Sequence, residues 1–326
     1  MRKLQHAIYK RETGSAGGKA KNDAFDIMEQ CGFEPTYHPS SYRQLRILQQ
    51  IYSIGRLKGS DALVLQYPAV SNIIMEKLKK KLNKVSLSVA LVHDLPSIQG
   101  MGGKKEKEFK FLSHFDCLIV HNKMMADYLS ANGYCGKIIE LELFDYLHDI
   151  SKPVMAGENN GTICIAGNLD KSRYVCDLNK ITKYSFNLYG INKTLNLSNI
   201  SNVAYKGLLN SEEIVYKLDG DYGLVWDGDS IEGCLGTHGR YLLYNNPHKL
   251  SLYIAAGKPI ITWKKAAIAN FVKEENIGFT VNSLLDLNDI DLIRNYEIKK
   301  SNVLKLKSRV AEGYYLKTAI NKIFVK

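Results

Sequence analysis

The sequence of 326 residues lacks the features that mark several common protein classes. No apolar run approaches the roughly 20 residues that a membrane-spanning helix requires, and the first ten residues have no apolar core of the kind found in signal peptides. The six cysteines include no C-x-x-C pair, which favours buried, reduced thiols over a metal site or a disulfide framework. These absences predict a protein of the cytoplasm.

Two common nucleotide-binding motifs are also missing. The glycine-rich segment 11–19 is not a Walker A loop, because Thr13 stands where the motif requires glycine and Ala20 where it requires a hydroxyl that binds magnesium. No G-x-G-x-x-G follows any predicted strand, so a kinase, an ATPase and a dinucleotide-dependent oxidoreductase are all disfavoured. The glycines of 14–18 still allow close approach of the backbone to a ligand. We expect them either to line a cleft or to form a plain turn from strand to helix.

Acidic residues are too few to balance the basic ones, and the formal net charge is +11. Such a charge points to nucleic acid, an anionic membrane surface or a phosphorylated substrate as a partner. Nucleic acid is disfavoured, because no recognised module and no basic strip interleaved with aromatics is present. A predicted helix at 71–84 surrounds an apolar stripe with lysines: Ile73, Ile74, Leu78 and Leu82, with Lys77, Lys79, Lys80, Lys81 and Lys84. This helix is either a solvated face over a core or a contact with anionic lipid.

The chain alternates short apolar runs with helical patterns, which predicts parallel α/β structure. Strands are expected in the first half at 4–9, 61–67, 85–94, 117–121 and 138–144, and in the second half at 162–166, 186–189, 222–226 and 259–263. The polar stretch 149–161 between the halves has the composition of a linker. The sequence therefore predicts two α/β domains.

One helix in the second half has a start suited to an anion. Asn246 is expected at its N-cap, Pro247 at its first position and Gly257 at its C-terminal end. The free N–H groups of its first turn, at 248–250, and the charge of Lys249 favour a phosphate. The alternative is a capped core helix with one solvated lysine.

This helix, together with Tyr222–Asp229 and Ala166–Lys171, resembles the bacterial sugar transferases with the GT-B fold. The chain is most similar to the galactofuranosyltransferases and to the related glucosyltransferase that extends glycans on serine-rich adhesins. The resemblance covers most of the chain and is strongest from about 160 to 280. It implies two Rossmann-like domains facing a central cleft, namely an N-terminal acceptor domain (1–150) and a C-terminal nucleotide-sugar-binding domain (160–326). The last helix, about 308–326, is expected to pack back on the first domain.

The resemblance also implies a set of donor-binding residues. Lys171 stands where the family has a phosphate-binding arginine, so the charge is kept but the bidentate fork is lost. Tyr205 matches a family position close to the nucleotide, where its ring could stack on a base. The complete predicted set for the donor is Ala16, Gly17, Lys171, Tyr205, Pro247, His248, Lys249 and Leu250.

His93 and Asp94 end a predicted strand, where ligands of open α/β sheets lie. For transfer with inversion at the anomeric carbon, we expect Asp94 to act as the catalytic base for the acceptor hydroxyl, with His93 as its orienting or sugar-binding neighbour. A retaining mechanism would not use this base, and the sequence does not decide between the two. The alternative is a polar strand end satisfied by neighbouring amides.

Asp227, Asp229 and Glu232 lie close together in sequence and have the oxygen ligands of a divalent-metal site. The resemblance implies instead that basic residues and helix dipoles replace the metal, so no metal and no cofactor besides the donor are expected. The predicted function is transfer of a sugar, galactofuranose before glucose, from a UDP donor to a growing surface glycan on a lipid carrier or a protein. Peripheral contact with an anionic membrane and a homo-oligomer remain open, and a non-catalytic GT-B partner or chaperone of another transferase is the rival hypothesis.

Overall fold

The computed structural model describes residues 1–7, 16–68, 71–100 and 104–324. The chain divides into two compact units. The first contains residues 17–142, the first strand of the chain and the last helix, and the second is Leu143–Glu312. Within the described ranges, no helix combines the length and the apolar character that crossing a membrane would require.

The first unit is a parallel α/β structure. Its strands are β1 (Lys3–His6), β2 (Glu34–Pro35), β3 (Ala62–Tyr67), β4 (Leu87–Val92), β5 (Cys117–Val120) and β6 (Lys137–Glu140). Its helices up to residue 142 are α1 (Ala16–Gln30), α2 (Arg43–Gly55), α3 (Asn72–Leu82), α4 (Pro96–Gln99), α5 (Lys105–Leu112) and α6 (Lys123–Ala131). The described strands pair in the order β2-β1-β3-β4-β5-β6, and every pairing is parallel. The central strands β3 and β4 are mainly apolar on both faces and almost entirely buried, as expected of a parallel sheet whose two faces are covered.

The second unit repeats this architecture. Its strands are β7 (Ile163–Ala166), β8 (Phe186–Tyr189), β9 (Val203–Tyr205), β10 (Tyr222–Val225), β11 (Ile260–Trp263) and β12 (Gly278–Val281). Its α-helices are α7 (Ile214–Lys217), α8 (Gly236–Tyr241), α9 (His248–Ala255), α10 (Ala269–Glu274) and α11 (Tyr296–Ala311). The described strands pair in parallel in the order β12-β11-β10-β7-β8-β9. The two parallel sheets confirm the predicted α/β class.

The strand order of the second unit reverses between two neighbours. β7, β8 and β9 follow one another in one direction, and β10 then pairs on the opposite side of β7. In open α/β sheets, ligands bind beyond the carboxyl ends of the strands at such a reversal. The segments that follow Ala166 and Val225 are therefore the places to look for a site.

The last helix, α12 (Tyr314–Phe324), belongs to the first unit. The Phe324 ring packs edge-on against Phe33, with 5.6 Å between ring centroids. The Lys137 ammonium donates a hydrogen bond to the Lys322 carbonyl at 2.9 Å. Helix α12 therefore adds to the core of the unit that contains the N-terminus.

The polar stretch 149–161 lies inside the second unit. The buried Asp221 carboxylate accepts hydrogen bonds from the backbone N–H groups of residues 159–162, at 2.7–3.2 Å. One carboxylate thus holds the loop that leads into β7, because a buried charge needs several donors around it. The division between the units falls earlier in the chain, after Glu142.

Candidate functional site

Glycines follow two neighbouring strands of the second unit. Gly167 comes after β7 and Gly190 after β8, with φ of 150° and 136°. The Gly167 N–H donates to the Tyr189 carbonyl at 2.9 Å, and a side chain at Gly190 would overlap the Gly167 carbonyl. The backbones of the two strand ends therefore lie too close together for a side chain at Gly190. Both glycines also have a positive φ, which favours glycine.

A cavity of about 290 Å³ opens at these strand ends. Its wall combines glycine backbone, apolar side chains and a few polar groups. The lining residues are Tyr146, Ala166, Gly167, Asn168, Tyr189, Gly190, Ile191, Leu208, Leu209, Ser211, Ile214, His248, Lys249 and Leu252. Concave, largely apolar walls with a few placed polar groups are typical of small-molecule sites.

Helix α9 contributes its first turn to this cavity. The helix begins at His248 with Pro247 as its N-cap, so the predicted start at Asn246 and Pro247 is wrong by one residue. Proline has no N–H to donate, and the Leu250 N–H already donates to the Pro247 carbonyl at 2.9 Å. The Leu250 side chain is fully buried. Of the four predicted amide positions 247–250, Pro247 therefore has no donor and the donor of Leu250 is already used within the helix.

Lys249 lies across the end of β10. Its ammonium donates to the Asp227 carboxylate at 2.6 Å and to the Trp226 carbonyl at 3.1 Å. Only 16% of the Lys249 side chain and 27% of the Asp227 side chain are exposed. The alternative of a solvated lysine is therefore wrong, because the charge is partly buried, paired and held at the reversal of strand order.

Tyr253, one turn further along α9, ties the helix to β7. Its hydroxyl accepts a hydrogen bond from the Ala166 N–H at 2.8 Å, and burial raises the pKa of this phenol well above its usual range. Its ring lies against Gly223 of β10, where any side chain would overlap it. The position of the first turn of α9 relative to Gly167 is therefore set by a buried contact.

The His248 ring forms part of the cavity wall. It stacks on Tyr146 with 5.0 Å between centroids, and its Nε2 lies 3.2 Å from the Asp145 carbonyl. Because a carbonyl only accepts, Nε2 carries the proton in this contact. The Tyr146 hydroxyl in turn donates to the Ser211 carbonyl. The predicted residues His248 and Lys249 are thus brought together at one cavity.

Lys171 and Tyr205 are not among the lining residues. Lys171 ends a short 3-10 turn, Leu169–Lys171, and is exposed; among the described residues its side chain has no hydrogen-bonding or charged partner. Tyr205 donates its hydroxyl to the Gly190 carbonyl at 2.8 Å. In this structure Tyr205 therefore supports the cavity by holding Gly190.

Ala16 and Gly17 are the first residues of α1. The glycines of 14–18 were expected in a loop or turn, but α1 already begins within that segment, at Ala16. Residues 14 and 15 of the predicted loop lie outside the described residues. Glycine is a poor helix former, which is why the sequence pattern favoured a loop here.

In the first unit, β4 ends at Val92, and His93 and Asp94 follow it. The buried His93 places Nε2 at 2.9 Å from Gln66 Oε1, while Gln66 Nε2 donates to the Lys21 carbonyl at 3.2 Å. In this orientation of the Gln66 amide, Gln66 Oε1 accepts a hydrogen bond from Nε2 of His93, so Nε2 carries a proton. Asp94 is half-buried and accepts a hydrogen bond from Gln99 at 2.9 Å.

The three carboxylates considered for a metal are not gathered into one site. Asp227 is paired with Lys249, whereas Asp229 and Glu232 are exposed. Across the residues that the structure describes, no group of three or more His, Cys, Asp or Glu side chains is arranged to hold a metal ion.

Comparison with solved structures identifies the class of protein that has this fold. The Anabaena protein HepE, solved in complex with UDP-glucose, matches over 98% of this chain and 98% of its own, with a TM-score of 0.57 and 11% identity. Similar matches to other glycosyltransferases show that the chain has the GT-B fold, as predicted.

The family follows from sequence. The family models for the glucosyltransferase 3-like N-terminal and C-terminal domains match residues 6–143 and 163–323. The chain belongs to this family of glycosyltransferases. It is 29% identical to the beta-1,6-galactofuranosyltransferase WbbI of Escherichia coli (strain K12), over 94% of each chain. It is 23% identical to glucosyltransferase 3 of Streptococcus gordonii, over 92% of each. The predicted resemblance is confirmed.

Most of the cavity wall was not predicted. Tyr146, Gly190, Ile191, Leu208 and Leu209 come from loops that carry no motif. One feature of the sequence could have identified part of this wall. A glycine directly follows each of the predicted strands 162–166 and 186–189. The rule that ligands lie beyond strand ends would have selected Gly190 together with Gly167.

Proposed function

We propose that this glycosyltransferase transfers a sugar from a UDP-sugar to a hydroxyl group of a growing cell-surface glycan, without a metal ion. The observation that carries the proposal is the cavity at the ends of β7 and β8, which the first turn of α9 and Lys249 border. This cavity is at the lower end of the size range for small-molecule sites, so it suits the nucleoside part of a donor better than a whole nucleotide sugar.

The walls of the cavity divide into two chemical parts. Tyr189, Ile191 and Leu208 offer apolar surface to a base and a ribose. Lys249 and the amides at the start of α9 offer positive charge to a diphosphate. We assign the nucleoside to the first part and the diphosphate to the second.

The pairing of Lys249 with Asp227 bears on how the diphosphate would be held. An ammonium has three donors, and Asp227 and Trp226 accept two of them. The third remains for a phosphate oxygen, and the carboxylate fixes the direction in which it points. Lys171, exposed at the end of its 3-10 turn, is the second cation that we assign to the diphosphate.

Metal independence follows from the same charges. Breaking the bond between the sugar and UDP places negative charge on the departing diphosphate, and groups fixed nearby stabilise that charge. Lys249, Lys171 and the positive end of α9 are the groups proposed here. No cofactor besides the donor is then required.

The donor sugar is proposed from the relatives. Similarity to a beta-1,6-galactofuranosyltransferase over 94% of both chains favours galactofuranose. Glucose is second, because a glucosyltransferase is among the relatives and HepE was solved with UDP-glucose. The acceptor is a glycan on a lipid carrier or a protein. We assign Asp94 as the base that takes the proton of the acceptor hydroxyl. We assign the neighbouring His93 to binding of the acceptor sugar.

A panel of UDP-sugars tests the proposal. UDP release and glycan product would be measured with UDP-galactofuranose, UDP-galactopyranose and UDP-glucose, each with an acceptor glycan. Transfer from UDP-galactofuranose above the other two is expected. Faster transfer from UDP-glucose would replace the proposed sugar, and activity only with a donor carrying another nucleotide would overturn the assignment of the cavity to UDP.

A further inference from the structure

Helix α2 exposes a row of apolar side chains. Tyr42, at its N-cap, and Leu45, Leu48 and Tyr52 are 73%, 49%, 61% and 67% exposed. Their spacing places them on one side of the helix, within about a third of its circumference. The opposite side is the one that packs, with Ile54 buried. Single exposed apolar residues are ordinary, but a continuous row of four large ones on one helix points to a partner.

Basic residues surround this row, and acidic residues are nearly absent. No Asp or Glu occurs from 35 to 60, and Glu76 is the only one in 71–84. The same two segments contain nine basic residues: Arg43, Arg46, Arg56, Lys58, Lys77, Lys79, Lys80, Lys81 and Lys84. A large part of the net charge of +11 therefore lies in two segments of the first unit.

Helices α2 and α3 are in contact, so the apolar row and the lysines belong to one surface. The Lys81 ammonium donates to the Gly55 carbonyl at 3.0 Å, at the end of α2. The Arg56 guanidinium lies over the Tyr52 ring, 5.6 Å from its centroid. Of the predicted apolar stripe on α3, Ile74 is buried but Ile73 is exposed. We call this surface, formed by α2 and the exposed side of α3, the α2–α3 face.

The chemistry of the α2–α3 face distinguishes between three kinds of partner. A second copy in a two-fold dimer would bring basic side chains of this face against basic side chains, which is unfavourable. A nucleic acid would satisfy the charges and its bases could stack on the two tyrosines, but it would leave Leu45 and Leu48 in water. An anionic lipid bilayer offers both phosphate charge and an apolar layer just beneath it.

We infer that the α2–α3 face docks on an anionic lipid surface. The row Tyr42, Leu45, Leu48 and Tyr52 enters the boundary between headgroups and acyl chains, and the arginines and lysines contact lipid phosphates. The purpose of this contact rests on the proposed function, since it would bring the enzyme to an acceptor on a lipid carrier. The contact itself requires neither donor nor turnover.

Vesicle flotation without any substrate tests this inference. Wild type is expected to float with vesicles of phosphatidylcholine mixed with phosphatidylglycerol, to bind pure phosphatidylcholine much less, and to be released by salt. The variant L45S/L48S/Y52S should bind the anionic vesicles at least roughly tenfold more weakly. Ile298→Ser is the matched control, because Ile298 is 59% exposed on α11 of the second unit, and it should bind as wild type.

UDP calorimetry on the same variants separates this inference from the proposed function. A circular dichroism spectrum and a thermal unfolding transition like those of wild type show that the first unit of L45S/L48S/Y52S is folded. Unchanged UDP affinity shows that the proposed donor site in the second unit is intact, so any loss of flotation belongs to the α2–α3 face. Failure of wild type to float, equal binding to neutral vesicles, or full binding by the variant would each overturn the inference. So would a dimer in sedimentation that the variant converts to a monomer while vesicle binding is absent.

Discussion

The Lys249 ammonium and the Asp227 carboxylate form an ion pair at 2.6 Å, in which both side chains are more than two-thirds covered. The two residues stand at the start of α9 and directly after β10, the strand beside the reversal of strand order. Since desolvation makes partly buried charges sensitive to their partners, removing either residue leaves the other in an unfavourable environment. The pair therefore connects the architecture of the second unit to its capacity to bind an anion.

Replacing Lys249 by alanine should weaken UDP binding by about 1.5–3 kcal/mol, the usual value of a hydrogen bond to a charged group. Calorimetry on the folded variant measures this loss. Lys305→Ala, at an exposed position of α11, is the control and should bind UDP as wild type. Because Lys249→Ala leaves Asp227 unpaired, the double variant K249A/D227N should recover part of any lost thermal stability. Unchanged UDP affinity in Lys249→Ala would remove this lysine from the donor site.

Chelation of divalent metals should leave transfer intact. The charges proposed for the leaving diphosphate are Lys171, Lys249 and the start of α9, and none of them depends on a metal. Product formation would be followed after treatment with EDTA and after later addition of manganese or magnesium. Loss of activity on chelation, with recovery on addition of metal, would instead assign Asp227, Asp229 and Glu232 to a metal site.

Asp94→Asn should lower turnover by roughly 100- to 10,000-fold with UDP affinity nearly unchanged, if Asp94 is the general base. His93→Ala should affect acceptor KM more than kcat, since we assign this ring to the sugar. Gln66→Leu provides a further readout, because it removes the partner that keeps the His93 proton on Nε2 and should shift the pH profile of acceptor binding. Wild-type turnover in both Asp94→Asn and His93→Ala would make the pair structural.

Gly190→Ala should destabilise the second unit more than Gly167→Ala. Both glycines have positive φ, so each substitution carries a conformational cost of about 1–2 kcal/mol. Only at Gly190 would the new methyl group overlap backbone, while the space beside Gly167 is open. Overpacking of this kind adds about 1–3 kcal/mol. Urea unfolding of both variants compares the two costs, and equal destabilisation would contradict the close approach of the two strand ends.

Lowering the pH from about 6.5 towards 4 should destabilise the first unit. Burial lowers the pKa of His6 and of His121 to about 4, below the usual 6.5. Between these values the unfolded chain binds protons that the folded chain does not, so stability is complete above pH 6.5 and decreases as the pH falls. Each histidine contributes on the order of 3 kcal/mol to this loss.

Denaturant unfolding of the first unit across this pH range measures the effect. His121→Gln should reduce the dependence on pH by about half, because one of the two histidines no longer titrates. His38→Gln is the control, since His38 is exposed. The stability of this variant should depend on pH as that of wild type does. An identical pH dependence in His121→Gln and wild type would show that His121 does not titrate differently on unfolding.

Four strands of the second unit, predicted at 162–166, 186–189, 222–226 and 259–263, match β7, β8, β10 and β11 to within one residue at each end. These strands are short and mainly apolar, and polar residues or glycine flank them, so their limits are visible locally. The helix at 248–255 was also predicted, with its start misplaced by one residue. Helix ends depend on backbone geometry that a residue pattern does not resolve.

Contacts between segments distant in sequence were not predictable in the same way. Asp227 and Lys249 are 22 positions apart, and their pairing depends on how β10 and α9 pack. Tyr146 reaches the cavity from outside every predicted motif. Helix α2 was not predicted at all, because its apolar residues occur on both the buried and the exposed side and leave no clean periodic stripe. Helix α2, which would contact the lipid, therefore could not be predicted from hydrophobic periodicity.

The position of α12 has a consequence for synthesis on the ribosome. The first unit needs the final residues of the chain, since Phe324 packs on Phe33 and Lys137 binds the Lys322 carbonyl. The second unit ends at Glu312, so all of its residues are made before the last helix. Domains often fold as they emerge, from the N-terminus onward. Here that order is reversed, because the second unit is the first to have its complete sequence, and the strands of the first unit are made well before the helix that packs on them.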